Sequence, residues 1–347
     1  MTSMSRARVA RRIAAGAAYG GGGIGLVGAA LVGLLLAEAQ LARRQVQANG
    51  SSPYVPKADG LYGGGYATPG EEPLRLTLLG DSTAAGQGVH RAGQTPGALL
   101  ASGLAAVAER PVELRNVAVP GAMSDDLDRQ VALVLAGPRP VPDVCVIMVG
   151  ANDVTNRMPP TRSVRHLAGA VRRLRTAGAE VVVGTCPDLG TIEPVQQPLR
   201  WLARRASRQL AAAQTIGVVE QGGRTVSLGD LLGPEFAEHP RELFGPDSYH
   251  PSAEGYATAA MAVLPTVCAA LGLWPAEEDR PDLSRREGFL PVARAAAEAA
   301  SEAGTEVTAA MPTGPRGPWA LLKRRRRRQV AAEHLDEHAD TGSQAGA

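Results

Sequence analysis

Aromatic side chains make up only 3% of the 347 residues, which weighs against a carbohydrate-stacking platform. Cysteine is rarer still: Cys145, Cys186 and Cys268 are the only three. An odd number without close spacing excludes a disulfide framework and a zinc site, and each sits in an apolar stretch that suits a buried free thiol. An excess of either charge is missing too. Lys and Arg number 36 against 34 Asp and Glu, a net charge of +2, so no global field marks a nucleic-acid binder. What remains is 44% apolar, enough for one medium-sized domain, with an Ala- and Gly-rich bias typical of GC-rich codon usage.

The clearest landmark is the uncharged run at residues 13–37. At roughly 1.5 Å per helical residue, such a run crosses a ~30 Å hydrocarbon core, and it has no polar face to lay on a soluble domain. The basic flank, residues 1–12, holds Arg6, Arg8, Arg11 and Arg12, whereas Arg43 and Arg44 follow the run. Four against two predicts a single-pass cell-membrane anchor with the rest of the chain outside the cytoplasm. The alternative is a signal peptide cleaved near Ala39, at the A-x-A pattern Ala37-Glu38-Ala39, with secretion of the remainder. Residues 38–73, rich in Gly and Pro, read as a linker, and 74–272 as the globular domain. The tail, 273–347, reads as disordered; its basic run Lys323–Arg328 is a solvated charge cluster or a contact for an anionic surface. No aromatic residues interleave with those arginines, so nucleic acid is not the expected partner.

Within 74–272, strand-like and helix-like segments alternate. Strands are expected at 74–80, 112–119, 143–150, 179–185 and 224–228, with helices at 94–108, 161–177, 198–214 and 253–271. The run 143–150 is apolar almost throughout, as suits a strand buried on both faces. Alternation of this kind predicts an α/β fold with a parallel sheet covered by helices on both sides.

Sites in open α/β sheets form at the carboxyl ends of strands. Four such places carry polar residues. Gly80-Asp81-Ser82 leaves the first strand; alone, it reads as a turn or a helix cap. Pro120-Gly121 follows the second, alone an ordinary turn. Gly150-Ala151-Asn152-Asp153 follows the third; the Asn152 amide is a neutral donor suited to an oxyanion, and alone it is an Asx turn. In Asp247-Ser248-Tyr249-His250, a carboxylate three residues before a histidine can reach Nδ1 and leave Nε2 facing outward as a base. Together the four places fill every role of an acyl-transfer site.

Those four blocks, LLGDSTAAGQGV, NVAVPGA, VGANDVT and DSYHPSAEGYA, resemble the SGNH (GDSL-type) hydrolases, in a membrane-anchored, actinobacterial-like form. Thr83 departs from the leucine many members carry after GDS. The resemblance implies a three-layer α/β/α sandwich of flavodoxin-like form with a five-stranded parallel sheet. It also implies Ser82 as nucleophile, His250 as base and Asp247 as its orienting carboxylate. Ser82 and Gly121 would donate backbone N–H groups, and Asn152 its side-chain amide, to an oxyanion hole. It implies a serine esterase acting as a monomer on small-molecule or lipid esters, without cofactor or metal. The same residues would serve an acyltransferase on a cell-envelope glycan; a non-catalytic envelope-binding module is the third reading, and it would lack one of them. Loops 85–97, 154–160 and 186–198 are expected to shape the acyl pocket.

Overall fold

The structure, a computed structural model, describes residues 37–42, 44–46, 48, 54–136, 139–273 and 306–307. The uncharged run, all but Ala37, lies outside the described residues, as do the basic flank and the basic run Lys323–Arg328. Among the described residues, no helix is long and apolar enough to cross a membrane.

Five strands run parallel: β2 Leu74–Gly80, β3 Val112–Asn116, β4 Val144–Met148, β5 Glu180–Gly184 and β6 Arg224–Val226. With β1, Gly60–Tyr62, and β7, Glu306–Val307, the sheet has seven strands among the described residues, in the order β1-β3-β2-β4-β5-β6-β7, so the expected five-stranded sheet is corrected. β1 pairs antiparallel with β3 at one edge, and the two-residue β7 pairs parallel with β6 at the other. Both escape a sequence reading because they are too short to show a period. Gly60-Leu61-Tyr62 sits in a glycine-rich stretch, and its pairing partner lies some fifty positions further along the chain.

Helices cover both faces. Along the central strands successive side chains alternate, and both sets are apolar. Leu76, Leu78, Val144, Val146 and Val182 pack into one core with α2, Pro96–Ala108, and α9, Ala253–Ala270. Leu79, Cys145, Ile147, Val181 and Val183 form the other with α3, Leu127–Leu135, and α5, Pro160–Thr176. The remaining helices among residues 54–273 are α1 Ser82–Ala85, α4 Ala151–Thr155, α6 Leu199–Val219, α7 Leu228–Glu238 and α8 Pro240–Leu243, and residues 37–42 and 44–46 are helical as well. The stretch after β6, with Gly229, Gly233 and Pro234, forms α7, which the sequence reading had not assigned. The three cysteines are buried and free, and burial raises the Cys145 and Cys268 thiols to about 12 and about 11.

The strands finish in step. Gly80 lies beside Met148, Met148 beside Gly184, and Gly184 beside Val226. Gly80 takes φ 132°, and a Cβ there would sit 1.9 Å from the Met148 carbonyl oxygen. Its N–H donates to Gln130 Oε1 (2.7 Å), and Gln130 Nε2 donates back to its carbonyl (2.8 Å). Substitution must therefore break a buried backbone approach that no rotamer can relieve. Gly80→Ala is expected to cost about 3 kcal/mol or more, read as a lowered urea midpoint; an unchanged midpoint would refute the close approach.

Candidate active site

The chain leaves β2 through Asp81, whose carboxylate accepts the Thr83 N–H (2.9 Å) and caps the single turn of α1. Ser82 is the first residue of that turn, so its position is set by the strand end and the cap together. The other half of the site comes from the loop between α8 and α9. There the Gly245 N–H donates to the His250 carbonyl and the Ser252 N–H to the Leu243 carbonyl, both at 2.8 Å. Ser252 also caps α9, its Oγ accepting the Gly255 N–H. Ser248 takes a left-handed φ of 54° to close the turn. Gly88 lets the two halves meet: a Cβ there would lie 2.8 Å from His250 Cβ.

Within this loop Asp247 Oδ1 accepts the N–H groups of Tyr249 (3.0 Å) and His250 (2.9 Å), which aims Oδ2 at His250 Nδ1, 2.6 Å away. On the far side of the ring, Nε2 lies 3.2 Å from Ser82 Oγ. The three residues are thus hydrogen-bonded in line although 168 positions separate Ser82 from His250. All three are buried, at 8%, 6% and 4% exposure for Ser82, His250 and Asp247. Burial, the largest single influence, pushes Asp247 up; the hydrogen bonds and charge of His250, with the Tyr249 N–H, outweigh it and hold the carboxyl below its ordinary value. Asp247 is therefore the ionised partner of a polarised imidazole at neutral pH.

Asn152 sits in the first turn of α4, and its Nδ2 donates one N–H to the Ala122 carbonyl (3.0 Å). That bond fixes the amide plane and leaves a second N–H. Asn152 and His250 line the same cavity. Gly121, exposed in the turn after β3, directly precedes Ala122, whose carbonyl accepts that bond. Asp153, fully buried, ties the two loops together: Oδ1 accepts the Ser124 N–H (2.9 Å), and Oδ2 accepts the hydroxyls of Ser124 and of Ser163 (2.6 Å). Gln214 does the same further along the edge, accepting the Cys186 N–H (2.7 Å) and donating to the Val149 carbonyl (3.0 Å). No local spacing announces Gln130, Gln214 or the Asp153 cluster, since each partner lies ten or more residues away.

The cavity beside His250 has a volume of about 730 Å³. Apart from Asn152, Thr155, Asn156, Arg157, Tyr249 and His250, its lining is largely apolar, with Leu189, Ile192, Val195, Leu202 and Ala203 among the walls. Of the three loops expected to shape it, 154–160 and 186–198 contribute. Among the described residues, no cluster of three His, Cys, Asp or Glu side chains is placed to hold a metal.

A buried serine at the carboxyl edge of a parallel sheet, hydrogen-bonded to a histidine that lines a largely apolar cavity, equips an α/β protein for acyl chemistry. The family profile of GDSL-like lipases and acylhydrolases matches residues 78–258. Over 249 residues the chain is 44% identical to the GDSL-like esterase Rv1075c of Mycobacterium tuberculosis, covering 69% of this chain and 78% of the relative. Among solved structures it is similar to LAE5, an α/β hydrolase enzyme from the metagenome of Lake Arreo, Spain. That likeness has a TM-score of 0.46 and 21% identity, over 61% of this chain and 99% of the other. It is also similar to Axe2, an acetylxylan esterase from Geobacillus stearothermophilus, with a TM-score of 0.42 and 20% identity over 57% and 94% of the two chains. The chain belongs to the GDSL-like lipase/acylhydrolase family, and it is an ester-hydrolysing enzyme.

One group at the site resists its surroundings. Burial raises Asp81 from 3.8 to about 6, and Asp153 adds to the rise, while Thr83 and the charge of His250 oppose it. The native state therefore holds a proton on Asp81 where the unfolded chain has released it, and stability falls as pH rises from about 4 to about 6. Asp81→Asn keeps the cap acceptor without the charge. Its melting temperature should gain on the wild type by roughly 5–10 °C as pH goes from 4 to 7; a pH-independent difference would contradict the buried charge.

Proposed function

We propose that the enzyme is a serine esterase in which Ser82 is the nucleophile, His250 the base and Asp247 its orienting carboxylate. The observation that carries this reading is the continuous hydrogen-bonded line from Asp247 Oδ2 through His250 to Ser82 Oγ, at 2.6 and 3.2 Å. His250 Nε2 takes the hydroxyl proton as Oγ bonds to the ester carbonyl carbon. The imidazolium so formed is stabilised by Asp247, which also keeps Nδ1 protonated. The tetrahedral oxyanion is received by the N–H groups of Ser82 and Gly121 and by the free N–H of Asn152. When the bond to the alkoxy group breaks, His250 returns its proton to the departing alcohol. Water then repeats the sequence on the acyl-serine and releases the acid.

The uncharged run at 13–37 and the arginines before it support a membrane-tethered enzyme with its catalytic domain outside the cytoplasm. A lipid ester would reach such an enzyme without leaving the membrane surface.

Ser82→Ala is expected to lower kcat for p-nitrophenyl butyrate by at least about 10⁴-fold. Asn152→Ala is expected to lower it by about 10²–10³-fold with little change in KM, since the oxyanion exists only after attack. Steady-state hydrolysis rates read both. Undiminished turnover in Ser82→Ala would remove the nucleophile assignment, and a loss confined to KM in Asn152→Ala would remove the oxyanion role.

A further inference from the structure

The cavity beside His250 has a wall that lies far from the hydrolase motifs in sequence. Residues 37–42 and 44–46 are helical, and Ala39, Ala42 and Val46 line the cavity. Their spacing of three and then four residues places them on one face of the helix. The opposite face, with Gln40, Leu41, Arg44 and Gln45, is exposed; Leu41 is 61% accessible, against 7% for Ala42. The segment is also held by a polar contact, the Leu199 N–H donating to Glu38 Oε2 at 3.2 Å. Leu199 opens α6, whose first N–H groups have no partner within the helix, so a carboxylate there satisfies a donor and meets the positive end of the helix dipole.

Protein interiors are close-packed with few voids larger than a water molecule, and a largely apolar space of about 730 Å³ among the described residues far exceeds one. Its size falls within the ~300–1,000 Å³ of ordinary ligand sites. Asn152 and His250 line it, while Ala39, Ala42 and Val46 add only apolar surface. An ester that placed its carbonyl at Ser82, hydrogen-bonded to the cavity-lining His250, could run its acyl chain against these apolar walls. The two alanines are small enough to leave the chain room.

We propose that the helical segment preceding residue 50 is a wall of the acyl pocket, and that it fits the site to esters whose apolar acyl chain is longer than acetyl. This rests on the assignment of Ser82 and His250 as the reacting pair. The wall follows directly on the uncharged run at 13–37, so the segment that would tether the enzyme also shapes its substrate site.

The test compares kcat/KM of the full chain for p-nitrophenyl octanoate and p-nitrophenyl acetate. Ala42→Trp is expected to lower the octanoate-to-acetate ratio by at least ~10-fold, because an indole occupies the space of several methylenes. Ala39→Leu, a milder filling, is expected to move the ratio the same way by less. Leu41→Ser, on the outward face of the same turn, is expected to leave the ratio where it was. The proposal is overturned if the wild type cleaves acetate but not octanoate. It is equally overturned if neither alanine variant changes the ratio, or if Leu41→Ser changes it as much as Ala42→Trp does. Hydrolysis of both esters that survives Ser82→Ala would instead bring down the assignment of the reacting pair, and the pocket proposal with it.

Discussion

Parallel pairing of β2 with β4, in the register that sets Gly80 against Met148, is the constraint on which the site depends. It brings the ends of two buried strands to one edge, where Ser82 follows the first and Asn152 the second. The approach is too close for any side chain at position 80, and Gln130 completes the backbone hydrogen bonding there. Rigid apolar strands thus carry the position of Ser82, and the geometry of the site inherits the precision of the core.

Polar groups at this edge are buried, and nearly all have partners. Asp153 draws in Ser124 and Ser163, which joins the loop after β3 to the helix after β4. Asn152 reinforces the same junction through the Ala122 carbonyl. Asp247 spends one oxygen on backbone N–H groups and the other on His250, so the histidine is aimed before any substrate arrives. Asp81 is the costly member, buried next to Ser82 with its affinity for a proton raised. That cost is consistent with a site in which a capped turn at the strand end matters more than local stability.

Much of this was legible in the chain itself, for identifiable reasons. Strands such as Val144–Met148 are buried on both faces and read as continuous apolar runs. Ser82, Asn152, Asp247 and His250 stand in short blocks whose local chemistry already suggests their parts, and the structure brings Ser82, Asp247 and His250 into one hydrogen-bonded line. The features that were not legible depend on distant partners. Gly60–Tyr62 becomes a strand only because β3 offers an edge. Gln130 and Gln214 look like ordinary helix residues until the backbone atoms they serve are known. Ala39, Ala42 and Val46 fell in a segment read as linker, because three small or medium apolar residues on one helical face carry little signal by themselves.

The central claim is that Ser82 forms the covalent acyl intermediate. It is tested most directly by treating the protein with a fluorophosphonate, which a base-activated serine attacks through phosphorus with loss of fluoride, and locating the adduct by peptide mass spectrometry. The account predicts a single phosphonylated peptide containing Ser82, with labelling slowed severely in His250→Ala. An adduct on another residue, or labelling of Ser82 that proceeds equally well without His250, would contradict it.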